Sequence, residues 1–253
     1  MSKIAIITGG SSGIGAAAAL ALAERGVDSI LTYNASEAGA RRVADEVARK
    51  GAKAAALRLD VGRSENFGAF REEVASLLEM EWGTGRFDCL VNNAGFGQMA
   101  MFEDTTEELF DTFVRVLFKG PYFLTQTLLP LLADGGAVVN VASNSATTGL
   151  TAGFSAYASA KGALITLSRC MAKEFAARGI RVNAISPGST RTGMIPDDVV
   201  SEHPDVIAAL VEKTAFGRLG ESGDVGTVIA ALASDDFRWV TGENVEASGG
   251  FGL

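Results

Sequence analysis

The chain has 253 residues, 47% hydrophobic and 21% charged, and its 22 basic against 30 acidic side chains give a net charge of -8. That composition supplies a packed core and excludes a disordered regulatory chain, which needs low hydrophobicity and high net charge. It also disfavours nucleic acid as a partner, because a phosphate backbone calls for a basic face. No apolar run reaches the ~18 residues of a membrane span, and the opening Met1-Ser2-Lys3-Ile4 lacks the pattern of a signal peptide. A cytoplasmic protein without a membrane partner is expected. Cys89, Cys170 and the single histidine, His203, are too few for a disulfide framework or a transition-metal site.

An apolar run at 3–8, ended by Gly9-Gly10, predicts a buried parallel strand. An alanine-rich helix at 13–25 is closed by Gly26, and a strand at 29–33 leads to a helix over 36–50. Strand 54–59, helix 65–81, strand 87–92 and one long helix at 107–132 continue the alternation. Strand 137–142, helix 155–178 and strand 180–185 follow, with a short helix at 205–213 and a last strand at 244–247. Such alternation predicts right-handed βαβ units in a doubly wound parallel sheet with helices on both faces, a Rossmann fold in a single domain over 1–253. The irregular stretch at 189–220 follows the carboxyl end of a strand, where ligands bind in such sheets. Its part from 192 to 218 reads as a substrate lid or as a plain surface excursion.

The loop Thr8-Gly9-Gly10-Ser11-Ser12-Gly13-Ile14-Gly15 joins the first strand to the first helix. Gly9, Gly13 and Gly15 serve a sharp turn, a close backbone approach to a pyrophosphate, and tight helix–strand packing. Ser11, Ser12 and Ile14 bring their backbone to the same place. A site preferring NAD carries a carboxylate at the end of the second strand. Here that segment is Tyr33-Asn34-Ala35-Ser36, with no carboxylate before Glu37. Asn34 and Ser36 could donate to a 2′-phosphate, so NADP(H) is favoured over NAD(H). Arg41 and Arg42 fit a solvated helix face better than a phosphate site.

Tyr157 and Lys161 lie four residues apart in a predicted helix and therefore share a face. A nearby ammonium favours the phenolate, which would make the tyrosine a usable general acid or base. A hydroxyl holding the substrate's carbonyl oxygen would complete the arrangement.

Four motifs stand in order: Thr8–Gly15 as TGxxxGIG, Asn92-Asn93-Ala94-Gly95 after the fourth strand, Tyr157 with Lys161, and Pro187-Gly188 after the sixth. On these the chain resembles the short-chain dehydrogenase/reductase superfamily, and most of all its 3-oxoacyl-carrier-protein reductase-like members. The resemblance implies that Tyr157 exchanges a proton with substrate oxygen, Lys161 binds the nicotinamide ribose and tunes Tyr157, and a serine after the fifth strand orients the carbonyl. It implies Asp60 and Val61 beside the adenine and Asn92 to Gly95, with Ala94, along the ribose. Pro187, Gly188, Thr190 and Thr192 would face the nicotinamide. It further implies a homotetramer acting on a small carbonyl or alcohol substrate.

Two departures from the family pattern stand out. Counting back from Tyr157 lands on Asn144 where the family has its serine, whereas alignment from the strand favours Ser143 over Ser145. An asparagine that supports a proton-relay water is replaced in the long helix by Leu117, which cannot hydrogen-bond. Hydride transfer on a carbonyl/alcohol pair is the leading reading. A dinucleotide-binding sensor or assembly subunit without catalysis is the alternative that Leu117 keeps open.

Overall fold

The computed structural model describes residues 2–195 and 197–253, so Pro196 of the expected lid lies outside the described residues. Six strands come first: β1 (Ile4–Ile7), β2 (Asp28–Tyr33), β3 (Ala54–Arg58), β4 (Phe87–Asn92), β5 (Leu132–Val141) and β6 (Arg181–Pro187). A two-stranded offshoot, β7 (Thr190–Arg191) with β8 (Gly220–Glu221), precedes β9 (Asn244–Ala247). The main sheet is parallel throughout, in the order β3-β2-β1-β4-β5-β6-β9.

The helices are α1 (Gly13–Ala23), α2 (Glu37–Arg49), α3 (Phe67–Trp82), α4 (Glu107–Val114), α5 (Gly120–Leu128), α6 (Ser155–Phe175), α7 (Asp197–Glu202), α8 (Pro204–Glu212) and α9 (Ser222–Ala233). Alternation along β1 shows how the sheet is covered. Ile4 and Ile6 join a core with Phe67 and Leu78 of α3, Leu124 of α5 and Leu164 of α6. Ala5 and Ile7 join the opposite core with Leu22 of α1, Val43 of α2 and Ile229 of α9. Two helical layers therefore sandwich one sheet, as the expected fold requires. Chain order reverses between β1 and β4, which opens a crevice at their carboxyl ends.

Three expectations need correcting. The long helix expected at 107–132 is broken into α4, a π-helical turn over Arg115–Lys119, and α5, after which β5 already begins at Leu132. Pro121 is the cause: its ring clashes with the carbonyl of the residue four back, Leu117, and it has no N–H to donate there. A wider turn centred on Leu117 absorbs the clash. Second, no element is expected between 213 and 244, yet α9 forms there, opened by a capping box in which the Glu221 and Asp224 carboxylates bond each other's backbone. A Cβ at Gly226 would lie 2.6 Å from the Ala17 backbone, so this glycine is what lets α9 press onto α1. Third, the stretch from 192 to 218 carries α7 as well as the expected short helix, α8.

Candidate active site

The glycine loop is locked from behind. The Thr8 hydroxyl accepts N–H bonds from Asn93 and Ala94, both at 2.9 Å, and the Asn93 side-chain amide donates to the Thr8 carbonyl at 2.8 Å. A Cβ on Gly15 would collide with the Gly9 carbonyl and lie 2.5 Å from the Asn93 amide nitrogen. Gly9 and Gly13 take φ values of 65° and 55°, open to glycine at little cost. Beside Gly13 the space is open, with a Cβ there meeting only Thr192, at 3.6 Å. Ser12 stands at the N-cap of α1 without capping it through its side chain, and the first turn holds no acidic residue. The first N–H groups of α1 are thus left for an anion, and a pyrophosphate suits them.

On the adenosine side Tyr33 is half-buried at the end of β2, while Asn34 and Ser36 are exposed. Ser36 caps α2 by accepting from the Gly39 N–H at 3.2 Å, and its hydroxyl proton remains available outward. Arg41 is held by Glu37 at 2.6 Å and Arg42 faces Glu46 at 3.9 Å, the solvated helix face expected of both. Asp60 accepts from the Gly62 N–H at 2.9 Å, and the carbonyl of buried Val61 packs against Gly120 beyond the π turn. Beyond β6 the Gly188 N–H donates to the Ala247 carbonyl at 3.1 Å, and the Thr190 hydroxyl donates to the Gly188 carbonyl at 2.9 Å. This loop, continuing from Pro187 to Thr192, ends against the glycine loop.

Asn92 is a correction. Its amide donates to Thr125 at 3.0 Å and Asn140 at 2.8 Å, and Asn140 donates on to Ser168 at 2.8 Å. That buried polar chain ties β4 and β5 to α5 and α6. The side chain therefore braces the core and does not face a ribose. Asn93, with Thr8, ties the end of β4 to the glycine loop. The signal was available: two adjacent strand-end residues point to opposite faces, so only one can serve the crevice.

Ser143 follows the end of β5, and its oxygen accepts from the Ser145 N–H at 3.2 Å. Its hydroxyl lies close enough to Tyr157 to act on the phenol's pKa. Lys161, one helical turn along α6, donates to the Val141 carbonyl at 2.6 Å. All three side chains are buried, Tyr157 edge-on to the rings of Phe113 and Phe154 at 5.9 Å each. A Cβ at Gly95 would lie 3.7 Å from the Lys161 nitrogen and 2.9 Å from the Leu117 side chain, so an apolar group borders the ammonium.

Burial raises the Tyr157 phenol, and the Ser143 hydroxyl pulls the other way. Burial alone lowers Lys161, to about 8. Removal from water is the larger influence on both groups, and the ammonium donates to the Val141 carbonyl. His203 sits exposed at the start of α8.

A family profile described as Enoyl-(Acyl carrier protein) reductase matches residues 9–252. An uncharacterized oxidoreductase of Methylorubrum extorquens is 39% identical, covering 98% of this chain and 97% of its own. A 3-oxoacyl-[acyl-carrier-protein] reductase of Staphylococcus epidermidis is 32% identical over 99% of both. The crystal structure of the angucycline C-6 ketoreductase LanV with bound NADP superposes with a TM-score of 0.92 at 33% identity, covering 98% of this chain and 95% of that one. The chain belongs to the short-chain dehydrogenase/reductase superfamily. It is a nicotinamide-dependent oxidoreductase acting on a carbonyl/alcohol pair.

Proposed function

We propose that the protein is an NADPH-preferring reductase that turns a small-molecule ketone into its alcohol, working in the cytoplasm as a homotetramer. The observation that carries the catalytic reading is the buried Ser143–Tyr157 hydroxyl pair with Lys161 one turn away. Two hydroxyls held together can bind one carbonyl oxygen. Gly9, Gly13 and the free start of α1 would hold the pyrophosphate, Asn34 and Ser36 the 2′-phosphate, and Gly188 to Thr192 the nicotinamide end. When bound, NADPH supplies the hydride. Ser143 donates a hydrogen bond to the carbonyl oxygen, and Tyr157 gives that oxygen its proton as charge develops. A raised phenol pKa keeps this proton in place at neutral pH, which suits the reductive direction. Lys161 holds a ribose hydroxyl and returns a proton to Tyr157.

The alternative without catalysis loses ground because all three side chains converge on one buried spot. Exposed Phe110, Tyr122 and Phe123 on α4 and α5 support assembly, which the mass in solution tests. Unpaired Cys89 and Cys170 are in keeping with the cytoplasm, and no described helix is long and apolar enough to cross a membrane.

Tyr157→Phe keeps the ring packing and removes the proton, so turnover is expected to fall by at least ~10²-fold while NADPH binding survives. Ser143→Ala is expected to cost more turnover than Ser145→Ala. Full activity in Tyr157→Phe would refute the catalytic assignment, and a larger loss in Ser145→Ala would transfer the serine's role.

A further inference from the structure

Beyond Phe154 the surface is open and apolar. Phe154, whose ring meets Tyr157 edge-on, forms one wall of a cleft of about 370 Å³ that also takes in Met101, Phe102, Glu103 and Leu150. Phe102 and Leu150 are 82% and 77% exposed, far more than an unliganded core position allows. The two loops that form the cleft are held in register, since the Ala100 N–H donates to the Gly153 carbonyl at 2.9 Å. Methionines complete the mouth. A Cβ at Gly153 would lie 3.3 Å from the Met99 sulfur and 3.7 Å from that of Met101. One at Gly97 would collide with the Met194 methyl and lie 3.9 Å from the Tyr157 ring. Met194, from the stretch beyond β7, therefore lies against Gly97, near the Tyr157 ring.

Charge narrows the occupant. Among the described residues lining the cleft the only charged one is Glu103, followed at once by Asp104. A thioester of coenzyme A, or one carried on a phosphopantetheine arm, brings phosphates to the mouth. An acidic rim on a chain of net charge -8 repels them. Shape points the same way. The volume falls within the range of ordinary ligand pockets, about 300–1,000 Å³, and a broad cleft walled by two phenylalanines accepts flat rings better than a thin chain. Thioether side chains adapt to ring outlines.

We propose that the substrate is an uncharged ketone carried on fused rings and bound free, not as a carrier-protein or coenzyme A thioester. This rests on the reductase reading above and adds its substrate class.

The test compares 2-tetralone, ethyl acetoacetate and acetoacetyl-coenzyme A as substrates with NADPH. The kcat/KM for 2-tetralone is expected to exceed that for acetoacetyl-coenzyme A by at least ~10-fold, within what apolar pocket contacts discriminate. Phe102→Ala and Leu150→Ala should each raise the KM for 2-tetralone by roughly fivefold, the scale of a lost apolar contact, and raise that for ethyl acetoacetate by less. Glu103→Lys should improve use of acetoacetyl-coenzyme A relative to that of 2-tetralone. Equilibrium dialysis of a hydroxyanthraquinone, weakened by Phe102→Ala, gives a readout independent of turnover. Comparable or better use of acetoacetyl-coenzyme A overturns the proposal while leaving the reductase reading intact. So does an unchanged KM in the Phe102 and Leu150 variants with a change in oligomeric mass, which would make the cleft a subunit interface. Failure to reduce any of the three, with NADPH still bound, overturns the reductase reading and this inference with it.

Discussion

Lys161 holds its ammonium against the Val141 carbonyl with Leu117 alongside, and burial lowers its pKa from the usual 10.5 to about 8. Below pH 8 the folded and unfolded chains both carry this proton, and the whole cost of burying the charge is present. Between 8 and 10.5 the unfolded chain holds more protons than the folded one, so stability rises with pH and the cost fades. Lys161→Met is therefore expected to stabilise the fold at pH 7, by up to about 3 kcal/mol from the size of the shift, and to lose that advantage by about pH 10. Melting temperatures at the two pH values check this; an equal gain at both would mean that charge burial is not the cause. Tyr33 gives a second prediction on the same scale. With no carboxylate from Tyr33 to Ser36, NADPH should bind more tightly than NADH, and Tyr33→Asp should narrow or reverse the difference. Titration of both cofactors decides it, and tighter NADH binding by the unmodified protein would overturn the preference.

The turn between α4 and α5 shows what pattern reading misses in a helix. Apolar spacing runs on through the segment, so periodicity alone joins it into one element. Pro121 was the legible warning, because a proline inside a helical pattern breaks or bends it. Leu117 was legible too, as a departure from the family's asparagine. Its packing against Gly95 beside Lys161 was not, since that contact depends on the widened turn. Leucine removes a hydrogen-bonding group from the path by which Lys161 would recover protons, so a modest turnover and a solvent deuterium effect larger than that of deuterated cofactor are expected. Leu117→Asn replaces a side chain only 1% exposed, so the variant should lose about 2–4 kcal/mol of stability. If the π turn admits a water, turnover should nonetheless rise. Unchanged turnover in a folded variant, with no solvent effect in the parent, would show that proton supply does not limit the enzyme.

At the scale of the molecule, the alternation of apolar strands with closed helices was enough to read the sheet, because a strand buried on both faces leaves an unmistakable short run. What escaped was α9. It is alanine- and glycine-containing, and its reason for being a helix lies in the capping box of Glu221 and Asp224 at its start and in the α1 surface that Gly226 approaches, a tertiary fact. Tyr157 and Lys161 were legible as a pair one helical turn apart, and Ser143 by its place after a strand, whereas counting back from Tyr157 gave Asn144. The rings packed against Tyr157, Phe113 and Phe154, were not, because they come from separate elements that only the fold gathers.

The described methionines are unevenly placed. Met171 is in the core and Met80 is exposed on α3, while Met99, Met101 and Met194 gather at the cleft, from 44% to 68% exposed. Peroxide converts such thioethers to polar sulfoxides, and it reaches exposed sulfur before buried sulfur. Oxidative ageing of this protein should therefore strike Met80 and the three cleft methionines ahead of Met171: KM for ketone should climb while NADPH affinity and melting temperature hold, and sulfoxide mapped by mass spectrometry to residues 99, 101 and 194, not that at 80, should track the climb.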